Sequence, residues 1–206
     1  MPKLIDHRKR REELALAAWQ IILRDGVAQV SVRAVAAEAG LSAGSVRHVF
    51  PTQDELLVFL MDFVGERVSR RISALPPRVT IRATVEEVAA QLLPLDAERT
   101  AEMQVSIALF TAANTEGRLK QPRDDAHRAL RGLCRWMVEQ LDNGVDLAAG
   151  SDVEVEAWRL HALLDGLAVH LVYEPDEQGP DWAVRVLARH LDSLRAQASC
   201  SANSSP

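Results

Sequence analysis

Arg47 and His48 close a short run, Ser42-Ala43-Gly44-Ser45-Val46-Arg47-His48, whose side chains suit the gripping of an anion and the reading of a planar edge. An arginine fork matches the O6 and N7 acceptors of guanine, and hydroxyls and helix-terminal N–H groups bond phosphate oxygens. Slim residues such as Ala43 and Gly44 let a backbone come close to a bulky polyanion. Arg33 upstream and Thr52 downstream offer the same chemistry to a phosphate or a base. Taken alone, such a set is also the solvated face of an ordinary helical hairpin. What decides between the two is the scaffold that holds it.

Other chemistry in the chain is thin. His161 and Asp165 lie at i and i+4 on one helical face, the spacing of a hydrogen bond rather than of a metal site, which needs further ligands. Cys134 and Cys200 belong to no CxxC pair, which argues against both a zinc site and a disulfide framework. Cys134 reads as a small core residue and Cys200 as part of a tail. There is no nucleophile elbow, phosphate loop or H-E-x-x-H, so no catalytic residue, metal or cofactor is expected, and no enzyme. A cavity for a small molecule needs apolar walls with a few polar groups. Met103, Ile107, Phe110, Trp136, Met137, His161 and Asp165 are candidates of that kind, each equally readable as plain core.

The elements that would position these residues are all helical. Nearly every segment repeats its apolar residues at three- and four-residue spacing, and no strand alternation with hairpin turns stands out, so the class is all-α with about nine helices. The first helix spans about 6–25, with Leu14, Ala17, Ala18, Ile21 and Ile22 on one stripe and Gly26 ending it. Short helices follow from Ser31 and from Ser42 to Val49, each with a serine at its N-cap, separated only by Ala39, Gly40 and Leu41. Thr52-Gln53-Asp54-Glu55 is a capping box after Pro51, opening a helix to about Ala74. Further helices are expected near 80–93, 96–116 and 122–143, punctuated by Pro94, Gly117, Pro122 and Gly144. A second capping box, Ser151 to Glu154, opens a helix reaching about Tyr173. Residues 175–180 form a turn-rich connection and 181–197 the last helix. Two short helices about a tight glycine turn, with an amphipathic helix before and a capped helix after, form a helix-turn-helix.

Charge is distributed to match. The net charge is −5, yet residues 1–50 carry eight Lys and Arg against five Asp and Glu, a local +3 that leaves −8 to the remainder. A basic head on an acidic body presents one end to phosphate and keeps the other off it. With 48% apolar residues there is material for a packed core. No run of about 18 apolar residues exists to span a membrane, and the charged N-terminus is unlike a secretory signal, so a cytoplasmic protein is expected.

The stretch Ser31 to Phe50 closely resembles the DNA-binding segment of the tetracycline-repressor family of bacterial regulators, and Pro51 to Leu57 continues the likeness. The family's usual pattern, A-G-[VL]-S-x-G-[ST]-[LIV]-Y-x-[YH]-F, is matched by Ala39, Gly40, Leu41, Ser42, Gly44, Ser45, Val46 and Phe50. Arg47 stands where tyrosine is common and Val49 where an aromatic or histidine is, so an altered operator is implied. Leu164-Asp165-Gly166-Leu167 resembles the C-terminal domain of the choline-responsive repressor branch, without transferring a ligand.

The resemblance implies residues 1–51 as a three-helix DNA-binding head on Arg33, Ser42, Ala43, Gly44, Ser45, Arg47, His48 and Thr52. It implies residues 52–197 as a larger ligand-binding and dimerisation domain, with 52–74 as connecting helix, and 198–206 read as a disordered tail. The penultimate helix is apolar on more than one side, so Leu160, Leu164, Leu167 and Leu171, with Val184, Leu187, Leu191 and Leu194 of the last helix, are expected to meet a second copy. The expected partners are a palindromic double-stranded operator, the chain itself and an unknown small-molecule effector acting through the helix from Thr52. Repression is the leading expectation. An activator, a ligand-independent DNA binder, or a helical adaptor for another protein are the alternatives.

Overall fold

The computed structural model describes residues 2–115, 117–143, 151–173 and 179–194, with side chains from 7 onward and excepting 143. Among these there are nine α-helices and no strand: α1 (Pro2–Asp25), α2 (Val32–Glu38), α3 (Ala43–Val49), α4 (Gln53–Ser73), α5 (Ile81–Ala90), α6 (Ala97–Ala112), α7 (Lys120–Asn143), α8 (Val153–Tyr173) and α9 (Asp181–Ser193). Single 3-10 turns stand at Val27–Gln29 and Gly117–Leu119. No helix among the described residues is long and apolar enough to cross a membrane.

Capping explains most boundaries. Ser31 Oγ accepts the Ala34 N–H at 3.1 Å, Ser42 Oγ that of Ser45 at 3.1 Å, Thr52 Oγ1 that of Glu55 at 3.2 Å, and Asp96 Oδ1 that of Arg99 at 2.8 Å, each satisfying a donor the helix cannot. Gly26 closes α1 at φ 87°, a left-handed conformation that a Cβ would strain. Two expectations shift. The cap of α8 is Asp152 rather than Ser151: its Oδ1 accepts from Glu154 and Val155, and the Glu156 N–H reaches the Asp152 carbonyl, so the expected box is set one residue late. Pro122 sits inside the first turn of α7 rather than ahead of it, where its missing N–H would have found no helical partner. Gly144, most of the 175–180 connection, Cys200 and the 198–206 tail fall outside the described residues, as do 195–197 of the last helix.

The chain forms two compact units, one of residues 1–73 with 96–128, the other of 74–95 with 129–206. These do not follow the head-and-body boundary drawn at residue 52. Helices α4 and α6 pack with α1–α3 because Leu56, Leu57, Leu60, Val105 and Leu109 share one core with Leu14, Ile21, Val35, Val46 and Phe50. In the second unit α9 packs on both α5 and α8, burying Val85, Val88, Leu160, Leu164, Leu187 and Leu191, with Cys134 and Met137 of α7 also fully enclosed.

Candidate nucleic-acid interface

α2 and α3 are held at their crossing by a reversal in three residues. Gly40 takes φ 66°, and the Leu41 N–H bonds back to the Ala36 carbonyl at 2.8 Å. On α3, Val46 is fully buried and Phe50 nearly so, while Ser42, Gly44, Ser45, Arg47 and His48 are exposed and Ala43 and Val49 half-buried. The inner side therefore fixes the helix, and the outer side is the polar, slim surface expected from the sequence. A Cβ added to Gly44 would meet only Ser42 Oγ at 3.8 Å, so nothing inside the protein requires glycine there.

Most arginines of the first unit are committed to the protein itself. Arg8 pairs with Glu12 at 3.0 Å and Glu66 at 2.8 Å, Arg10 with Glu13 at 2.9 Å, and Arg24 with Asp25 and Glu38. Arg11 is exposed as a residue, with its guanidinium over the Phe50 and Phe59 rings. Arg33 on α2 and Arg47 on α3 have no ion-pair partner among the described residues, and both are exposed. Their charges stay available to a phosphate or a base edge. Thr52, by contrast, is half-buried with its hydroxyl engaged by Glu55, leaving its outward lone pair for a second bond. Ser42 and Ser45 share a hydroxyl contact at 2.9 Å beside the α3 N-terminus.

One neighbour escaped the sequence reading. The His7 ring lies 6.5 Å from that of His48, centroid to centroid, so the first turns of α1 stand beside the end of α3. The signal was the unbroken charge of His7 to Arg11, legible as basic but not as adjacent to α3.

The remaining candidates fall elsewhere. Met103, Ile107 and Phe110 are half-buried on α6 in the first unit. In the second, Trp136 is exposed, Met137 and His161 are buried, and Asp165 is exposed, with His161 Nε2 3.4 Å from Asp165 Oδ2. Two open grooves flank α1 and α2, and none of these seven residues lines them. No group of three metal-ligating side chains occurs among the described residues. Cys134 is fully buried, and burial first, then the Asp165 charge, push its thiol up to about 12, which leaves it an inert core group.

The leucines expected to meet a second copy are covered within the single chain. Leu160, Leu164, Leu167, Leu171, Leu187, Leu191 and Leu194 are at most 8% exposed within the single chain, where α8 and α9 pack on each other. Of the set only Val184 is open. The large apolar residues of these helices that stay partly exposed are Val155, Trp158, Val169 and Tyr173 on α8 and Val184 and Val186 on α9, the Trp158 ring also meeting the Arg131 guanidinium at 4.3 Å. On α8 they flank exposed Ala162 and Gly166.

Residues 15–58 match the family model for bacterial regulatory proteins of the tetR family, and residues 81–196 that for the BetI-type transcriptional repressor C-terminal domain. The chain is 38% identical over 195 residues to the HTH-type transcriptional regulator PksA of Bacillus subtilis (strain 168), covering 94% of each. A transcriptional regulator from Rhodococcus sp. Rha1 superposes with a TM-score of 0.77 at 27% identity, covering 89% of this chain and 95% of that one. A regulator from Saccharomonospora viridis, crystallised in complex with choline, shares the fold with a TM-score of 0.76 at 18% identity, over 90% and 96% of the two chains. All are regulators of transcription and none is an enzyme.

Proposed function

The chain belongs to the tetR family of bacterial regulatory proteins, with a BetI-type C-terminal domain, and we propose that it works as a homodimeric repressor of a palindromic operator, released by a small-molecule effector. The observation that carries the reading is the outer face of α3, serine-capped, slim at Ala43 and Gly44, and flanked by the uncommitted guanidiniums of Arg47 and Arg33.

In this reading α3 lies in the major groove with its N-terminal turn toward the bases. Arg47 supplies the fork for guanine, and Arg33 reaches a base or a phosphate. Ser42, Ser45, His48 and Thr52 bond backbone oxygens, setting register without reading sequence. A second copy, joined through the uncovered faces of α8 and α9, sets two recognition helices about one DNA turn or a multiple apart. Residues 1–51 act as the reading head and 52–197 as the sensing and dimerising body. An effector favours release only by binding the DNA-incompetent arrangement more tightly. As a protein acting on DNA, it works in the cytoplasm.

Gel-shift titration against a palindrome from its own upstream region, with salt varied, tests the reading. Expected are preference for that site over scrambled DNA and an affinity that falls steeply with salt, since each neutralised phosphate releases counterions. A flat salt response without site preference overturns it and favours an adaptor.

A further inference from the structure

Glu102 is the one acidic side chain among the described residues that is buried, at 3% exposure, and it projects from α6 onto α4. A carboxylate withdrawn from water is costly unless cations meet it, and two do. Arg67 Nε donates to it at 2.7 Å and Arg71 Nη1 at 2.7 Å, the two arginines standing one turn apart on α4. Arg67 also pairs with Glu98, one turn earlier on α6. Burial opposes the charge of Arg67, and Glu102 and Glu98 together outweigh it, leaving the guanidinium above its ordinary value.

The contacts continue toward α3. The Arg67 guanidinium lies 5.7 Å from the Trp19 ring centroid on α1 and 5.9 Å from that of Phe63. Phe63 stacks with Phe59 at 6.2 Å, and Phe59 meets Phe50 at 5.4 Å. Phe50 is the C-cap of α3, its N–H bonded to the Val46 carbonyl at 2.8 Å. A line of guanidinium and ring contacts thus joins a buried carboxylate on α6 to the end of the exposed helix.

We infer that Glu102 is a positioning residue for DNA binding: gripping α4 by two turns at once, it fixes the rotation and register of α4 on α6 and so the presentation of α3. The inference rests on the reading that α3 contacts DNA. Apolar residues of similar volume would hold two helices together at least as well, so stability alone does not account for a buried ion triad. What the triad adds is direction. Removing one member leaves charge unmatched, so the clasp is either closed or open rather than smoothly deformed, the behaviour of an element that two sites can bias.

The test compares wild type, Glu102→Gln and the surface control Glu139→Gln, whose carboxylate pairs with Arg135 on α7, by hydrogen exchange on the free protein and by gel shift on the palindrome. Glu102→Gln is expected to speed exchange selectively in residues 65–73 of α4, leaving α8 and α9 unchanged, and to weaken DNA binding roughly tenfold at an unaltered salt slope. Glu139→Gln leaves both near wild type. Exchange that rises throughout the chain, or DNA affinity that stays at wild type, overturns the inference. Arg71→Gln, which removes one arm and keeps the carboxylate paired to Arg67, gives the same pattern at smaller amplitude should Glu102→Gln fail to fold. A wild-type chain that shows no site preference would instead sink the DNA reading, while exchange in α4 still decides whether Glu102 holds that helix.

Discussion

The guanidinium of Arg11 lies over the ring of Phe59, 4.3 Å from its centroid. It joins α1 to α4 at the level where α3 ends, since Phe59 in turn meets Phe50. Arg11→Ala is therefore expected to lower unfolding free energy by about 1 kcal/mol, the upper range for an exposed cation–π contact. Arg11→Lys keeps the charge but loses the flat stack, so it should fall between the two in a urea titration. Equal stability of all three would show that the contact contributes nothing.

Gly44 separates a folding role from a binding role. A helix favours alanine over glycine, by about 1 kcal/mol in its interior and less in the first turn where Gly44 stands, and the space around Gly44 is open apart from Ser42 Oγ. Gly44→Ala should raise the melting temperature, and Gly44→Leu should fold normally. On DNA the order reverses: Gly44→Leu is expected to lose at least about tenfold in affinity, because a bulky side chain holds the backbone off the groove. Wild-type affinity in Gly44→Leu would mean that this face does not approach DNA.

Much of this was legible in the residues because local rules govern it. Serine caps at Ser31 and Ser42, the glycine turn at Gly40 and the capping box at Thr52 act within a few residues, and the helices begin where those signals stand. The exposed set on α3 follows from the same periodicity that buries Val46 and Phe50. What was not legible depends on choices between distant elements. The α8 helix is apolar around more than half its girth, and periodicity cannot say which side its own chain takes. The leucines at 160, 164, 167 and 171 went inward, leaving the valine, tryptophan and tyrosine positions outside. Likewise Glu102 is one acidic residue among many until α6 meets α4, and His7 is one more basic-end residue until α1 meets α3.

Arg47 and Arg33 are expected to part by the kind of loss each suffers. Arg47→Ala should cost about 1–3 kcal/mol on the preferred site and relax selectivity at one base position, as lost base readout does. An Arg33→Ala variant losing only a phosphate contact would weaken all sequences alike and lower the salt slope by about 1. Binding to a set of singly substituted operators reads both. Arg47→Ala with full selectivity would remove it from base reading.

His190 on α9 gives a pH signature. Burial first, then the nearby Arg159 charge, hold its imidazole below the ordinary value against an opposing pull from Glu156, with Arg82 adding the smallest push downward. Well above about pH 6.5 the imidazole is neutral in folded and unfolded chains, and the group adds no pH dependence. As pH falls through that value the unfolded chain takes up the proton first, so stability is lost toward acid. His190→Gln should therefore lose less stability than wild type between pH 7.5 and 5.5 in denaturant titrations. Parallel losses would show that the histidine charges as freely folded as unfolded.

In the proposed homodimer the exposed stripe on α8 is expected to form the interface. Val169 is 43% exposed beside Gly166, and Ala162 stands a turn further back, so two α8 helices could approach closely with small residues at their crossing. In a two-fold interface each residue faces its own copy or a near neighbour, so one added carboxylate appears twice in the same desolvated patch. Val169→Glu is expected to convert a species of twice the 22.7 kDa chain mass into one of chain mass, by light scattering. Leu16→Glu, at an equally exposed apolar position on α1, should leave the dimer whole. The variant must also lose operator affinity, because the second head no longer binds at the high effective concentration that the first provides. It should keep weak binding to a half-site, since α3 and its arginines are untouched. A Val169→Glu chain that remains twice the monomer mass would place the interface on another face.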